Sequence, residues 1–215
     1  MDQPSHERLR SETFGSIDWL WSGDDEFRFA KSDRALAGLV LKVPETESVL
    51  SFDPWLNAHE QPGIIYALKP ENFSAASTDI RQVSDDGTRL ICAHQALATQ
   101  AGEVRRLRIN SSLAFVFVDQ IYSGWILQDP VEYLVQEWEY SPIDVAPDSL
   151  RGLLKDYLTL IVEPKIDRMQ DGDPELLTEL ENLIERCSAH PYDPRRDVLL
   201  DQAIDLRENW YEGVI

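Results

Sequence analysis

The chain has 215 residues, 43% of them hydrophobic, which is enough to bury a globular core and excludes disorder for its bulk. Its 39 Asp and Glu against 20 Lys and Arg give a formal net charge of −19, which disfavours a phosphate backbone or an anionic leaflet as a partner, because both recruit Lys and Arg. Two cysteines, Cys92 and Cys187, are too few for a disulfide framework and read as reduced thiols of a cytoplasmic protein.

The first ten residues are polar and show no signal-peptide core. Trp19 and Trp21 follow, two apart, so that on an extended chain both rings face one way, into a core. Asp24-Asp25-Glu26 reads as a solvated turn. Phe27 to Ala30 reads as an edge strand, and Ala37 to Val43 and Gly63 to Leu68 as strands ended by prolines. Asp53-Pro54 starts a short helical turn. Asp85-Asp86-Gly87 is a turn before a strand over Thr88 to Ala93. Arg105 to Ile109 and Leu113 to Val118 flank a hairpin loop at Asn110-Ser111-Ser112. Tyr122-Ser123-Gly124 is read as a turn preceding a last strand over Trp125 to Leu127. Arg105, Arg106 and Arg108 form the basic cluster, with Arg106 and Arg108 predicted on a solvent face protecting an edge or pairing with acidic helices.

After Gln128 the apolar period becomes helical. Leu150, Leu153, Leu154, Tyr157, Leu158 and Ile161 mark one stripe, which Pro164 should end or kink. Leu176, Leu177, Leu180, Leu183, Ile184 and Cys187 mark a second. Val198, Leu199, Ala203, Leu206 and Trp210 mark a third. A shorter helix should start at Pro130. Asp-Pro at 129–130, 173–174 and 193–194 predicts N-caps, since the carboxylate accepts an orphan N–H and the proline has none to lose. Acidity follows the same boundary: residues 1–128 net −6, residues 129–215 net −13.

These elements predict an α+β protein: an antiparallel sheet of five to seven strands in residues 1–128, covered by three or four amphipathic C-terminal helices in 129–215, as one composite domain over 1–215. No Walker loop, dinucleotide-binding glycine loop or G-x-S-x-G elbow occurs. Cys92 and His94 share a strand face but lack further ligands at zinc spacing. Asp171-Gly172-Asp173 has no acid at the twelfth position of a calcium loop. Cys187 lies on an apolar stripe, where a thiol is inert, so no nucleophile is assigned to it with His190. No metal, cofactor or catalytic residue is therefore expected.

The leading expectation is a non-enzymatic acidic protein of the bacterial cytoplasm that binds a basic protein, concretely an immunity protein or antitoxin that neutralises a toxin. Glu132, Glu137, Trp138, Glu139 and Tyr140, an aromatic pair flanked by acids, are its predicted interface. The alternatives are a small-molecule-binding or hydrolase-type domain with a site between sheet and helices, built from residues such as Arg106, His94 and Glu132, and a structural subunit or specialised chaperone.

Overall fold

A computed structural model describes residues 3–16, 25–75, 77–136 and 139–211. It has mixed α+β architecture, with two sheets and four substantial C-terminal helices. Trp19, Trp21, Glu137 and Trp138 lie outside the described residues. The chain divides into two compact units: Met1–Gln82 with Ile91–Leu127, and Val83–Leu90 with Gln128–Ile215.

In the first unit, helix α1 (Gln3–Glu12) leads into the antiparallel sheet β1 (Thr13–Gly15), β2 (Glu26–Ala30) and β3 (Leu36–Val40), in the order β1-β2-β3. Arg28, 6% exposed on one face of β2, donates to Thr13 Oγ1 and to the carbonyls of Arg10 and Thr13, tying β2 to the end of α1. A second sheet has the order β4-β7-β8-β9-β6-β5, from β4 (Glu60–Pro62), β5 (Ile80–Val83), β6 (Arg89–Ala93), β7 (Val104–Arg108), β8 (Leu113–Val118) and β9 (Ile121–Gln128). Nine strands among the described residues exceed the predicted range because β1 and β4 have three residues each and no apolar run to announce them. The sheet is mixed rather than antiparallel, since β4 runs parallel to β7.

That pairing corrects the reading of the arginines. β7 is not an edge, and Arg106 bonds Glu60 on β4 at 2.5 Å and the carbonyl of Leu56 at 2.9 Å. Two further expectations shift. Gly63 to Leu68 forms no strand; it makes a single bridge, Ala35 to Tyr66, and leaves Ile64 and Leu68 at the surface. Tyr122-Ser123-Gly124 lies inside β9, and the turn sits earlier at Asp119-Gln120, whose φ values of 48° and 69° match a tight hairpin turn of the strand's own twist. Gly124 is required there: at φ +152°, a Cβ would stand 2.2 Å from the Cys92 carbonyl oxygen on β6.

Strand alternation gives the second sheet two different faces. Ile91, Ala93, Val116, Val118 and Ile126 pack with Phe52 and Trp55 of the α2 region (α2, Asp53–Asn57). Cys92, Phe115 and Phe117 alternate with these residues and therefore belong to the opposite face.

The second unit is built from a 3₁₀ turn (Pro130–Tyr133), α4 (Asp148–Leu160), α5 (Glu163–Gln170), α6 (Pro174–Ala189) and α7 (Pro194–Tyr211). The predicted stripes bury together: Leu150, Leu153 and Leu154 of α4, Leu176, Leu180, Leu183 and Cys187 of α6, and Leu199 and Ala203 of α7 share one cluster. α4 ends at Leu160, ahead of Pro164, and the proline falls in the first turn of the next helix. Asp173 caps α6 by accepting from the N–H groups of Glu175 and Leu176, and Asp193 accepts from Arg195 N at the start of α7. Asp129 does not cap. It adopts φ 46° and its carboxylate takes Arg151 of α4 instead. The hairpin tip Val83–Leu90 belongs to this unit: Lys155 bonds the Asp85 carbonyl, the Asp129 N–H donates to the Thr88 carbonyl at 2.7 Å, and a Cβ on Gly87 would stand 2.7 Å from the Arg151 carbonyl oxygen.

Candidate functional site

The first unit holds a cavity of about 550 Å³ lined by Phe27 and Phe29 of β2, Phe115 and Phe117 of β8, Ile121 and Tyr122 of β9, Phe73, Ile65 and Ala75 of the intervening segment, and Asp79, His94, Ala96 and Leu97. Its origin is the alternation just described. β2 sends Arg28 to the α1 side and Phe27 and Phe29 to the other, while β8 sends Val116 and Val118 to the α2 core and Phe115 and Phe117 away from it. The two aromatic faces meet across the cavity: Phe27 stands edge-on to Phe115 at 5.7 Å between ring centroids and to Tyr122 at 5.2 Å. In the β8–β9 ladder Tyr122 pairs with Phe117 and so shares its face, and the exposed Ile121, beside the turn, also reaches the lining.

Tyr122 is the centre of the wall. Its ring also contacts Phe115, Phe117 and His94, at 5.4, 6.2 and 5.9 Å. Its hydroxyl donates to Asp25 Oδ2 at 3.2 Å, and Asp25 is completely buried, its other carboxylate oxygen accepting from Lys42 N. Burial first, then the Asp25 charge and the hydrogen bond to it, push the phenol far above its ordinary range, so it stays protonated. Asp25 is thus a buried acceptor rather than part of a solvated turn. Cys92 is also completely buried, and burial raises its thiol well above the usual value, which makes it inert.

The polar groups converge at one end. Asp79 Oδ1 accepts from the N–H of Gln95 at 2.6 Å, the residue after His94, and Asp79 N donates to the Ala93 carbonyl. His94 is fixed by its main chain, which donates to Ser123 O and starts the short helix α3 (Gln95–Ala98). Its side chain is different: the residue is 8% exposed, the ring lines the cavity, and it makes no side-chain hydrogen bond to any described residue. Its ring nitrogens are therefore available to a ligand in the cavity.

The residues chosen from sequence are distributed differently. Glu132 is drawn inward: its carboxylate pairs with Arg195, 1% exposed, at 2.8 Å and accepts from Ala146 N, while Arg195 also bonds Asp193 and the carbonyl of Asp144. It is therefore a structural acid, not a freely solvated one. Glu139 and Tyr140 are at the surface, Tyr140 at 86% exposure, and with Pro142, Asp197 and Val198 they line a small depression of about 160 Å³. Arg106 and His94 do not form a joint site, because Arg106 is held by Glu60; of the trio with Glu132, His94 alone lines the cavity. The sequence reads Phe27, Phe29, Phe115 and Phe117 only as strand residues, and Tyr122 as part of a turn. Their signal was aromatic placement on alternate positions, which by itself denotes an interior and not whether that interior is filled.

His190, considered beside Cys187, instead accepts or donates with Ser149 Oγ through Nε2 at 2.6 Å, and Nδ1 lies 2.9 Å from the Pro191 carbonyl. The pair is at the surface and links the end of α6 to the first turn of α4. Among the described residues no cluster of three or more metal-ligating side chains occurs, and no helix is long and apolar enough to cross a membrane. No protein-family model, curated protein or solved structure matches the chain.

Proposed function

We propose that the first unit binds a small, predominantly apolar molecule in the aromatic cavity. One observation carries this reading: a space of about 550 Å³, walled by six aromatic rings, five of them on two sheets, also takes in the His94 imidazole, which has no side-chain hydrogen bond to the described residues. Cavities of this size, mostly apolar with a few convergent polar groups, suit a drug-sized ligand. The reading is one of binding, since the thiol and phenol near the cavity are both held protonated.

The test uses N-phenyl-1-naphthylamine, an uncharged probe that fluoresces in apolar surroundings. Saturable enhancement with one site per chain is expected, and it should be lost in Ala75→Trp and Ala96→Trp, each of which puts an indole into the cavity while circular dichroism reports on the fold. Enhancement that does not saturate, or that persists in both variants, would refute it.

A second reading keeps the acidic surface as a docking site for a basic protein, such as a toxin met by its immunity protein or antitoxin. Its support is Tyr140 at 86% exposure beside Glu139 and Asp197, an amphipathic aromatic with acids around it. Affinity capture from the source cell at low and high salt should recover a basic protein whose retention falls with salt and with Tyr140→Ala. Recovery of no such protein under either condition would end this reading.

A further inference from the structure

We propose that the ligand of the aromatic cavity is an amphipathic amine, its cationic head at the Asp79–His94 end and its apolar body between the two sheets. This rests on the ligand-binding reading and adds the charge of the ligand. Among the described residues that line the cavity, Asp79 is the one acid, His94 the one imidazole, and there is no Lys or Arg. An anionic ligand would therefore have no cation to meet and would face the Asp79 carboxylate.

An ammonium group meets three complementary features at the same place. The Asp79 carboxylate is oriented by the Gln95 N–H and supplies charge. The neighbouring imidazole, 8% exposed, can accept an N–H in its neutral form, as ammonium offers donors and no acceptor. The ring faces of Phe and Tyr carry negative electrostatic potential, so a cation over them is attracted, most strongly where water is excluded. The rest of the cavity is hydrocarbon and aromatic, which a uniformly polar cation would not fill. The chain's net charge of −19 favours approach of a cation from solution for the same reason that it repels an anion.

The experiment compares three probes with one ring system and different heads, 1-naphthylmethylamine, 1-naphthylmethanol and 1-naphthoic acid, titrated calorimetrically into the full chain at about pH 8. The amine should bind about tenfold more tightly than the alcohol, and the acid more weakly than either. High salt should narrow the gap between amine and alcohol, as expected for a charge at the cavity mouth. In Asp79→Asn, which retains an acceptor for the Gln95 N–H, the ratio of amine to acid affinity should fall at least fivefold, about 1 kcal/mol. An alcohol or acid that binds as tightly as the amine overturns the amine assignment while leaving the cavity reading in place, as does an amine preference unchanged by both salt and Asp79→Asn. Failure of all three to bind overturns both.

Discussion

Tyr122 concentrates several roles in one side chain: a ring that contacts Phe27, Phe115, Phe117 and His94, and a hydroxyl that serves a fully buried carboxylate. Removing the hydroxyl in Tyr122→Phe deprives Asp25 of a donor and should cost about 1–3 kcal/mol in chemical denaturation. The pH dependence has a definite sign. The folded phenol titrates above its unfolded value, so its contribution is complete below about pH 10 and is lost as pH rises past it. Wild type should therefore lose stability more steeply than Tyr122→Phe above that pH; equal slopes would contradict the assignment. Asp173 behaves oppositely. Burial pushes its carboxyl up, but the hydrogen bond from Arg168, the N–H groups of Glu175 and Leu176 and the Arg168 charge outweigh this and hold it below the ordinary range. Its stabilisation is present above about pH 4 and disappears as pH falls through the lowered value. Asp173→Asn keeps a capping acceptor without the charge, so the fall in melting temperature on acidification should be shallower than in wild type.

Elements were more legible in the sequence than their partners. The stripe from Leu150 to Ile161 and that from Leu176 to Cys187 located α4 and α6 within a few residues, because each sustains a helical apolar period, and Leu113 to Val118, an unbroken apolar run, is β8 in full. Gly63 to Leu68 misled, since an apolar run states that burial is possible and not that a ladder neighbour exists. The cavity was illegible for a related reason: Phe27, Phe29, Phe115 and Phe117 look the same whether the opposing face touches them or stands off. Glu132 was legible as an interface acid on the short helix from Pro130, but its partner Arg195 is 63 positions away. That partner makes a prediction for the element it anchors. Arg195 ties the 3₁₀ turn, the 142–146 segment and the start of α7 through Glu132, Asp193 and main-chain carbonyls. Arg195→Ala leaves Glu132 and these carbonyls without their cation and should cost about 3–5 kcal/mol, whereas Glu132→Gln, which preserves shape and an acceptor, should cost less. A loss within about 0.5 kcal/mol of wild type for Arg195→Ala, measured by denaturant unfolding, would show the network to be incidental.

For the molecule as a whole, the net charge of −19 is partly absorbed internally: Asp129, Glu132, Asp173 and Asp193 each have a cation or an N–H to serve. The remainder repels itself, and screening should relieve it. Raising sodium chloride from about 20 to about 200 mM is expected to raise the melting temperature, because long-range repulsion is screened more completely than the partly buried pairs. A melting temperature that falls over that range would mean the ion pairs dominate.

Synthesis on the ribosome imposes an order that the finished molecule conceals. Val83–Leu90 belongs to the second unit, yet its companions begin at Gln128, so the hairpin tip emerges well before the helices it docks with, and at about 5–20 residues per second it waits seconds for them. Its own wiring suits that delay: the Asp86 carboxylate accepts from Ser84 Oγ, Thr88 N and Thr88 Oγ1, all within the tip. The nascent chain can thus hold the turn closed, while Val83, which packs against the helical cluster, stays uncovered until those helices are made.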